Sequence, residues 1–410
     1  MASLERFGRV VSTLSALAGV ADFATMGAGC SSGAFVQNLS ERLAQSPASE
    51  IQPRNTFMAK TEKLRFAADP LRTMVRSMFE KLGSTREDAV AVADVLVWAN
   101  LRGVDSHGIS RIPRYIELFE KGEANAAPRL AVTQPQSSVV MIDADRAPGP
   151  VALKRAADEA ISVAHRTGIA WASVRSTVHT GAIGYYTSRI ASADMIGIGI
   201  VAGMPNMAYA GSNVAGVATS PLSIAVPSAQ HGTVLLDMAT AVIALGKIAQ
   251  FRAAGTQLSP GMALTESGEP TTDPQLAEIP LPVGGAKGAG LSLMFELLTS
   301  VLTGQPILTE FHSGQPAGQR HRQNGTLIAA DISAFGPVVE FKQRVDATLQ
   351  VIKGLARAPG VDELLYPGER GGRAFQERSR KGIPIGAAAW QKLSKDAQKL
   401  GVSAPEPLPA

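Results

Sequence analysis

The sequence has one cysteine, Cys30, so neither an internal disulfide nor a cysteine-based zinc cluster can be built from it. Aromatic residues make up only 5% of the chain and the net charge is a modest +4 over 410 residues. Lysine and arginine are spread along the chain with no basic patch interleaved with aromatics, which argues against a nucleic-acid partner. No apolar run reaches the roughly 18 residues that would span a bilayer, so no membrane partner is expected. There is no HExxH arrangement and no cluster of carboxylates, hence no metal site is assigned. Two apparent nucleotide motifs also fail. Gly197, Gly199 and Gly203 have GxGxxxG spacing inside an apolar strand, whereas a dinucleotide fingerprint needs its glycines in the turn after the strand. Gly246-Lys247 lacks the first P-loop glycine, Ala241 standing there, and Ile248 replaces the metal-binding hydroxyl.

What is present is a globular composition, 45% apolar and 18% charged, with 40 glycines, a level that favours turns and close backbone approaches. Residues 1–57 mix Ser, Ala and Gly with scattered charges and are read as an extension outside the fold. Val10 to Val20 is mildly apolar but lacks a basic leader and a convincing cleavage site, which points away from secretion and towards a cytoplasmic protein. A targeting peptide and a start codon set too far upstream both remain compatible with this segment.

The organising stretch is Gly103-Val104-Asp105-Ser106-His107-Gly108-Ile109-Ser110-Arg111, followed by Ile112-Pro113. Proline is tolerated only in a first helical turn, so a helix begins here, with Ser110 expected as its N-cap and Gly122 as its stop. Ile112, Tyr115, Ile116 and Phe119 form its buried stripe. His107 then lies in a tight loop and Arg111 in the first turn, where free amides, the helix dipole and a guanidinium suit a carboxylate. A histidine beside such a site is placed for proton transfer. The plain alternatives are a structural loop histidine and an exposed Arg111 paired with Glu117.

Upstream, Leu71, Met74, Val75, Met78 and Phe79 mark a helix ending at Gly83, and a Ser84/Glu87 capping box starts a second one. From about Ser138 the texture alternates between strands and helices. Strands are expected at Val139–Ile142, Gly168–Val174, Ile196–Ala202, Leu222–Val226, Thr233–Leu236 and Leu327–Ile332. His179 sits at a strand-to-helix junction, where ligands often meet strand ends. Asp237 ends an apolar strand and reads equally as a cap. Gly284 to Gly290, around Lys287, opens an apolar helix and suits either a phosphate cradle or a connector. The last residues, with Pro405, Pro407 and Pro409, look frayed.

Taken together, Arg102 to Gly108 with Arg111, His179-Thr180-Gly181-Ala182, Asp237-Met238-Ala239-Thr240, Pro270 to Pro274, Lys287 to Leu291 and Tyr366-Pro367-Gly368-Glu369-Arg370 resemble the malate/L-lactate dehydrogenase-like oxidoreductases. That family also includes ureidoglycolate dehydrogenase, diketogulonate reductase and cyclic imino-acid reductases. The resemblance runs from about Lys60 to about Pro384. It implies an α/β (α+β) fold: a mostly antiparallel, non-Rossmann nicotinamide-binding domain at 138–330. A helical part at 58–137 would carry substrate and catalytic groups, with 331–410 packing back on it.

The activity implied is hydride transfer between NAD or NADP and C2 of a small 2-hydroxy or 2-keto acid, in a homodimer. Catalysis would fall to His107, His179 and Asp237, and substrate binding to Arg111 and Ser106. The cofactor would lie on Gly203, Asp237, Met238, Ala239, Thr240, Lys287, Gly288, Gly368, Glu369 and Arg370. A cyclic imino-acid reductase, and a non-catalytic binding protein on the same scaffold, are the alternatives. The chain departs from the family pattern at Ala218-Thr219-Ser220-Pro221, where relatives carry Gly-Thr-Asn-Pro, and at Tyr209-Ala210-Gly211-Ser212, Met262, Ala286 and Ala289.

Overall fold

Apolar residues at helical spacing open the ordered chain: Leu71, Met74, Val75, Met78 and Phe79 are all buried along one face of a helix. The computed structural model describes residues 63–314 and 321–409, so the extension 1–57 lies outside the described residues. In chain order these form β1 (Lys63–Phe66), α1 (Ala68–Lys81), α2 (Arg86–Leu101), α3 (Ile112–Glu120), β2 (Ala131–Gln136), β3 (Val139–Asp143), α4 (Gly149–Thr167), β4 (Ile169–Thr177), α5 (Gly184–Ala191) and β5 (Met195–Ala202). Then come β6 (Pro221–Pro227), β7 (Thr233–Ala239), α6 (Leu245–Ala254), α7 (Ala286–Glu296), α8 (Leu308–His312), β8 (Gln323–Asp331), α9 (Val338–Lys353), α10 (Glu369–Lys381), β9 (Ile383–Gly386) and α11 (Ala387–Lys399). A two-stranded and a three-stranded sheet of shorter strands join the loops between β5 and α7.

The central sheet has seven strands in the order β2-β3-β4-β8-β5-β6-β7. Only β3 and β4 run parallel, linked by the crossover helix α4; every other neighbouring pair is antiparallel. The sheet is therefore mostly antiparallel and not a Rossmann sheet, as expected. The glycines of β5 have a packing role. A Cβ on Gly197 would stand 2.7 Å from the Thr187 carbonyl, and one on Gly199 would stand 2.9 Å from Leu327. Their absence lets α5 lie close against the strand.

The two ends of the described chain meet: β1 pairs antiparallel with β9, Lys63 opposite Gly386 and Phe66 opposite Ile383, and the Phe66 ring lies 3.9 Å from that of Trp390.

Three local expectations are corrected. The cap of α2 is Thr85, whose hydroxyl accepts the Asp88 N–H at 3.2 Å, one residue beyond the Ser84/Glu87 box. Ser110 does not cap α3; its Oγ donates to the Asp105 carbonyl at 2.7 Å, because two 3-10 turns, Asp105–His107 and Ile109–Arg111, lead directly into the helix. Finally, the C-terminal tail is tied down rather than frayed: the Leu408 N–H donates to the Arg65 carbonyl at 2.7 Å, and Val402 and Ala404 pack on the main core.

Candidate active site

The loop after α2 is held by side chains from both ends of the sequence. Asn100 is buried; its Nδ2 donates to Asp105 Oδ1 at 2.8 Å and its Oδ1 accepts the Ile109 N–H at 2.8 Å. Arg378, on α10, forks both oxygens of Asp105 at 2.6 and 3.2 Å. Gly108 is required by this packing, since a Cβ there would fall 2.1 Å from Asn100 Oδ1. The loop thus presents Ser106, His107 and Arg111 from a rigid frame. Ser106 Oγ lies 3.0 Å from His107 Nδ1, and Arg111 Nε donates to the Ser106 carbonyl at 2.6 Å. Glu117, the alternative partner for Arg111, is instead bonded by Arg114 and Lys121.

His179 comes from the other side, just beyond β4. Gly149 admits this turn, as a Cβ there would stand 2.2 Å from Thr180 Cα. The two imidazoles stack with centroids 5.6 Å apart and planes inclined by 24°. Tyr115, buried on α3, places its hydroxyl 3.1 Å from His179 Nδ1 and 3.0 Å from the His179 carbonyl. A phenol has one proton and a carbonyl can only accept, so the O–H goes to the carbonyl. Nδ1 then supplies its own N–H to the phenol oxygen, which leaves the lone pair on Nε2.

Burial, and then the Arg111 charge, push His107 down from 6.5 to about 4. Burial, His107, Arg111 and Arg114 hold His179 well below the ordinary range. Both rings are neutral at pH 7. Burial raises the Tyr115 phenol, which stays protonated.

These groups line a cavity of about 720 Å³ that also takes in Asp237, Met238, Ala239, Gly368 and Arg370. Asp237 does not cap the helix that follows it, which starts only at Leu245; its Oδ2 accepts the Gly184 N–H of α5 at 3.1 Å. Burial raises its pKa from 3.8 to about 6, against the Gly184 N–H and the Arg102 charge, which lower it. Arg102 donates to the Gly368 carbonyl at 3.0 Å and lies 5.3 Å over the Trp98 ring. Gly368 has φ +87°, and a Cβ on it would come 2.8 Å from the Leu235 carbonyl, so the Tyr366-Pro367-Gly368 turn docks tightly on β7.

The remaining expected positions do not line the cavity. Gly203 leaves room for Gln323, whose Cγ would lie 3.3 Å from a Cβ there. The Thr240 carbonyl accepts the Val283 N–H, and a Cβ on Gly288 would meet that carbonyl at 2.5 Å. Lys287 is exposed, and the amides of Gly285, Lys287 and Gly288 already bond to Pro282, Gly284 and Val283, so little of a phosphate cradle is left free. The Glu369 carboxylate is engaged by Lys353 and Arg373. Of the altered turn, Ala218 and Ser220 are bound by Ser292 of α7 at 2.7 and 3.1 Å, while Thr219 and Pro221 face the cavity.

Nothing in the sequence marks Asn100, Tyr115, Gln323 or Arg378 as site residues. Tyr115 carries only a core signal, being part of an apolar stripe; the others give none.

The family model for malate/L-lactate dehydrogenase matches residues 66–394. The chain belongs to the malate/L-lactate dehydrogenase family. It is 32% identical over 349 residues to a malate dehydrogenase of Pyrococcus abyssi, covering 83% of this chain and 96% of that one. It is also 32% identical over 343 residues to the ureidoglycolate dehydrogenase (NAD(+)) of Escherichia coli strain K12, covering 82% and 96%. Among solved structures, malate dehydrogenase from Pyrococcus horikoshii OT3 superposes with a TM-score of 0.76 at 30% identity over 85% of this chain and 99% of that one. The delta1-piperideine-2-carboxylate reductase of Pseudomonas syringae pvar. tomato gives 0.73 at 27% identity, covering 81% and 99%. The match supports the dehydrogenase reading of the scaffold over a non-catalytic one.

Proposed function

We propose that the protein is an NAD(P)-dependent dehydrogenase of small 2-hydroxy acids, with His179 as acid/base and Arg111 as carboxylate clamp. The observation that carries this reading is two stacked, neutral imidazoles beside a guanidinium on one cavity wall. A cavity of about 720 Å³ is within the range of cofactor sites, and the exposed Arg370 on its wall has no ion-pair partner among the described residues. Arg370, Met238, Ala239 and the Gly368 turn would hold the dinucleotide. When bound, a nicotinamide accepts the C2 hydrogen of the hydroxy acid together with its electron pair, or returns it to the keto acid.

The chain's own residues supply the rest. Arg111 is oriented through its Nε bond to Ser106, and its terminal nitrogens fork the C1 carboxylate. Burial does most to depress both histidines; the bound anion offsets what the Arg111 charge adds, so the proton affinity of His179 rises as substrate binds. His179 Nε2 takes the C2 hydroxyl proton during oxidation and gives it back during reduction. Tyr115 holds the ring in the required tautomer, and His107, bonded to Ser106, packs against it.

The experiment is the absorbance change at the nicotinamide band with NADH or NADPH and a panel of 2-keto acids and cyclic imines. Turnover of a keto acid supports this reading and identifies the cofactor. The likeness to a delta1-piperideine-2-carboxylate reductase favours a second reading, a cyclic imino-acid reductase using the same clamp, and turnover of imines alone would promote it. Absence of both turnover and cofactor binding would favour the non-catalytic reading.

The proposed enzyme is a cytoplasmic homodimer. No helix among the described residues is long and apolar enough to cross a membrane. An apolar row on α7 and the π-turn after it, Leu291, Met294, Leu297, Leu298, Val301 and Leu302, is 36% to 60% exposed, as a face awaiting a second copy would be.

A further inference from the structure

Gln323 opens β8 where its register with β4 shifts, and its half-buried side chain lines the cavity. Its Oε1 accepts the Thr180 N–H at 2.8 Å, the amide directly after His179. That bond fixes the carboxamide: with oxygen and nitrogen exchanged, two N–H donors would oppose each other. Nε2 is therefore the end left over, and it meets no protein acceptor among the described residues. A donor held in this way in a cavity wall is satisfied only by water or by a ligand.

The neighbouring polar groups have the same sense. Asn206 Oδ1 is taken by the Thr219 N–H at 2.8 Å, which leaves its Nδ2, and Arg111 is a donor throughout. The one carboxylate lining the cavity, Asp237, accepts the Gly184 N–H through Oδ2. Besides the Arg111 guanidinium that a C1 carboxylate needs, the wall therefore offers donors at Gln323 and Asn206. Gln323, bonded to the residue after His179, belongs to the proton-transfer end of the cavity.

We propose that Gln323 is a specificity-determining residue that selects 2-hydroxy and 2-keto acids carrying a second oxygen acceptor beyond the reacting carbon, a carboxylate in the first instance. This rests on the hydroxyacid reading above. A substrate with only a methyl group there leaves Nε2 unsatisfied. One with a carboxylate converts it into a charge-assisted bond, for which discrimination of about 10- to 100-fold is expected.

The test compares oxaloacetate with pyruvate in steady-state reduction by the wild type and Q323E. The glutamate keeps an oxygen towards Thr180 N–H and replaces the donor by a second oxygen that repels an anion. The wild type is expected to favour oxaloacetate in kcat/KM, and Q323E to lower the oxaloacetate-to-pyruvate ratio about 10- to 100-fold. Q323M, which can make neither bond, replaces Q323E if the latter melts early, with the same fall in ratio expected. A wild type without the preference, or variants that lower both substrates equally, overturns the proposal. In parallel, L-malate and L-lactate are titrated calorimetrically into protein saturated with reduced cofactor, where no reaction can proceed. If no keto acid turns over, the hydroxyacid reading fails on its own, and this titration decides the role of Gln323. Tighter malate binding that is lost in Q323E supports it; equal binding or none overturns it.

Discussion

Replacing Tyr115 by Phe removes one oxygen from the interior and leaves the ring in place. In the wild type that oxygen touches both His179 Nδ1, at 3.1 Å, and the His179 carbonyl, at 3.0 Å, in a residue that is only 1% exposed. The variant leaves the His179 Nδ1–H without this partner, while the carbonyl keeps the Gly149 N–H at 3.2 Å. Such a loss costs about 1 to 3 kcal/mol, so the folded state is expected to lose on the order of 2 kcal/mol. The functional cost has a different origin. Once Nδ1 has no acceptor, the proton is free to sit on either nitrogen, and only the tautomer with the lone pair on Nε2 can take the substrate proton. We expect kcat to fall roughly 10- to 100-fold, while KM for the acid and the Kd for the cofactor stay within about threefold, because Arg111 and the Gly368 turn are untouched. Steady-state kinetics, cofactor titration and a thermal melt measure all three. Imidazole nitrogen NMR reads the tautomer directly. An unchanged kcat, or a loss of cofactor binding as large as the loss of kcat, would refute the reasoning.

Arg111→Ala is expected to raise KM for the acid by about 100-fold, the loss of a charge-assisted fork, with little change in cofactor binding; equal loss of both in titrations removes the clamp from the account. Gly108→Ala pushes a Cβ into Asn100, which cannot swing away without breaking its bonds to Asp105 and Ile109. A stability loss of about 1 to 3 kcal/mol in denaturant melts is expected, together with a kcat deficit from the displaced His107 loop.

Two groups on the cavity wall set opposing pH dependences. His107, lowered from 6.5 to about 4, binds fewer protons when folded, so its contribution is lost as pH falls from 6.5 towards 4. Asp237, raised from 3.8 to about 6, binds more protons when folded, so its contribution is lost as pH rises from 3.8 through 6. Asp237→Asn should therefore gain stability relative to wild type as pH rises from 4 to 7; a pH-independent difference in melts across that range would contradict the raised carboxyl.

Local signals carried much of this fold. The helical stripes of α1 and α3, the apolar runs of β3 and β8, the alternation of β4, and the proline that starts α3 are decided by residues within a few positions of one another, and they read directly. The pairing of β1 with β9 did not, because four-residue strands more than 300 positions apart leave no period to detect. The same limit applies at the site. His107, His179, Arg111 and Asp237 stand out by residue type beside turns and strand ends, and all four line one cavity. Lys287 and Gly288 were equally conspicuous, yet the local amides close on their own loop. Asn100, Gln323 and Arg378 act through contacts made by folding alone, and nothing in their neighbours distinguishes them from ordinary polar residues. Tyr115 reads as core, which it is; its hydroxyl matters only once His179 arrives from β4.

The most direct test of the central claim is the nicotinamide absorbance assay run on wild type, His179→Asn and His107→Asn side by side, with the best keto acid and cofactor. Turnover by the wild type is expected, with a loss in kcat of about 100-fold or more for His179→Asn with cofactor binding kept, and a smaller loss for His107→Asn. Full activity in His179→Asn would contradict it, whatever the fold and family of the chain.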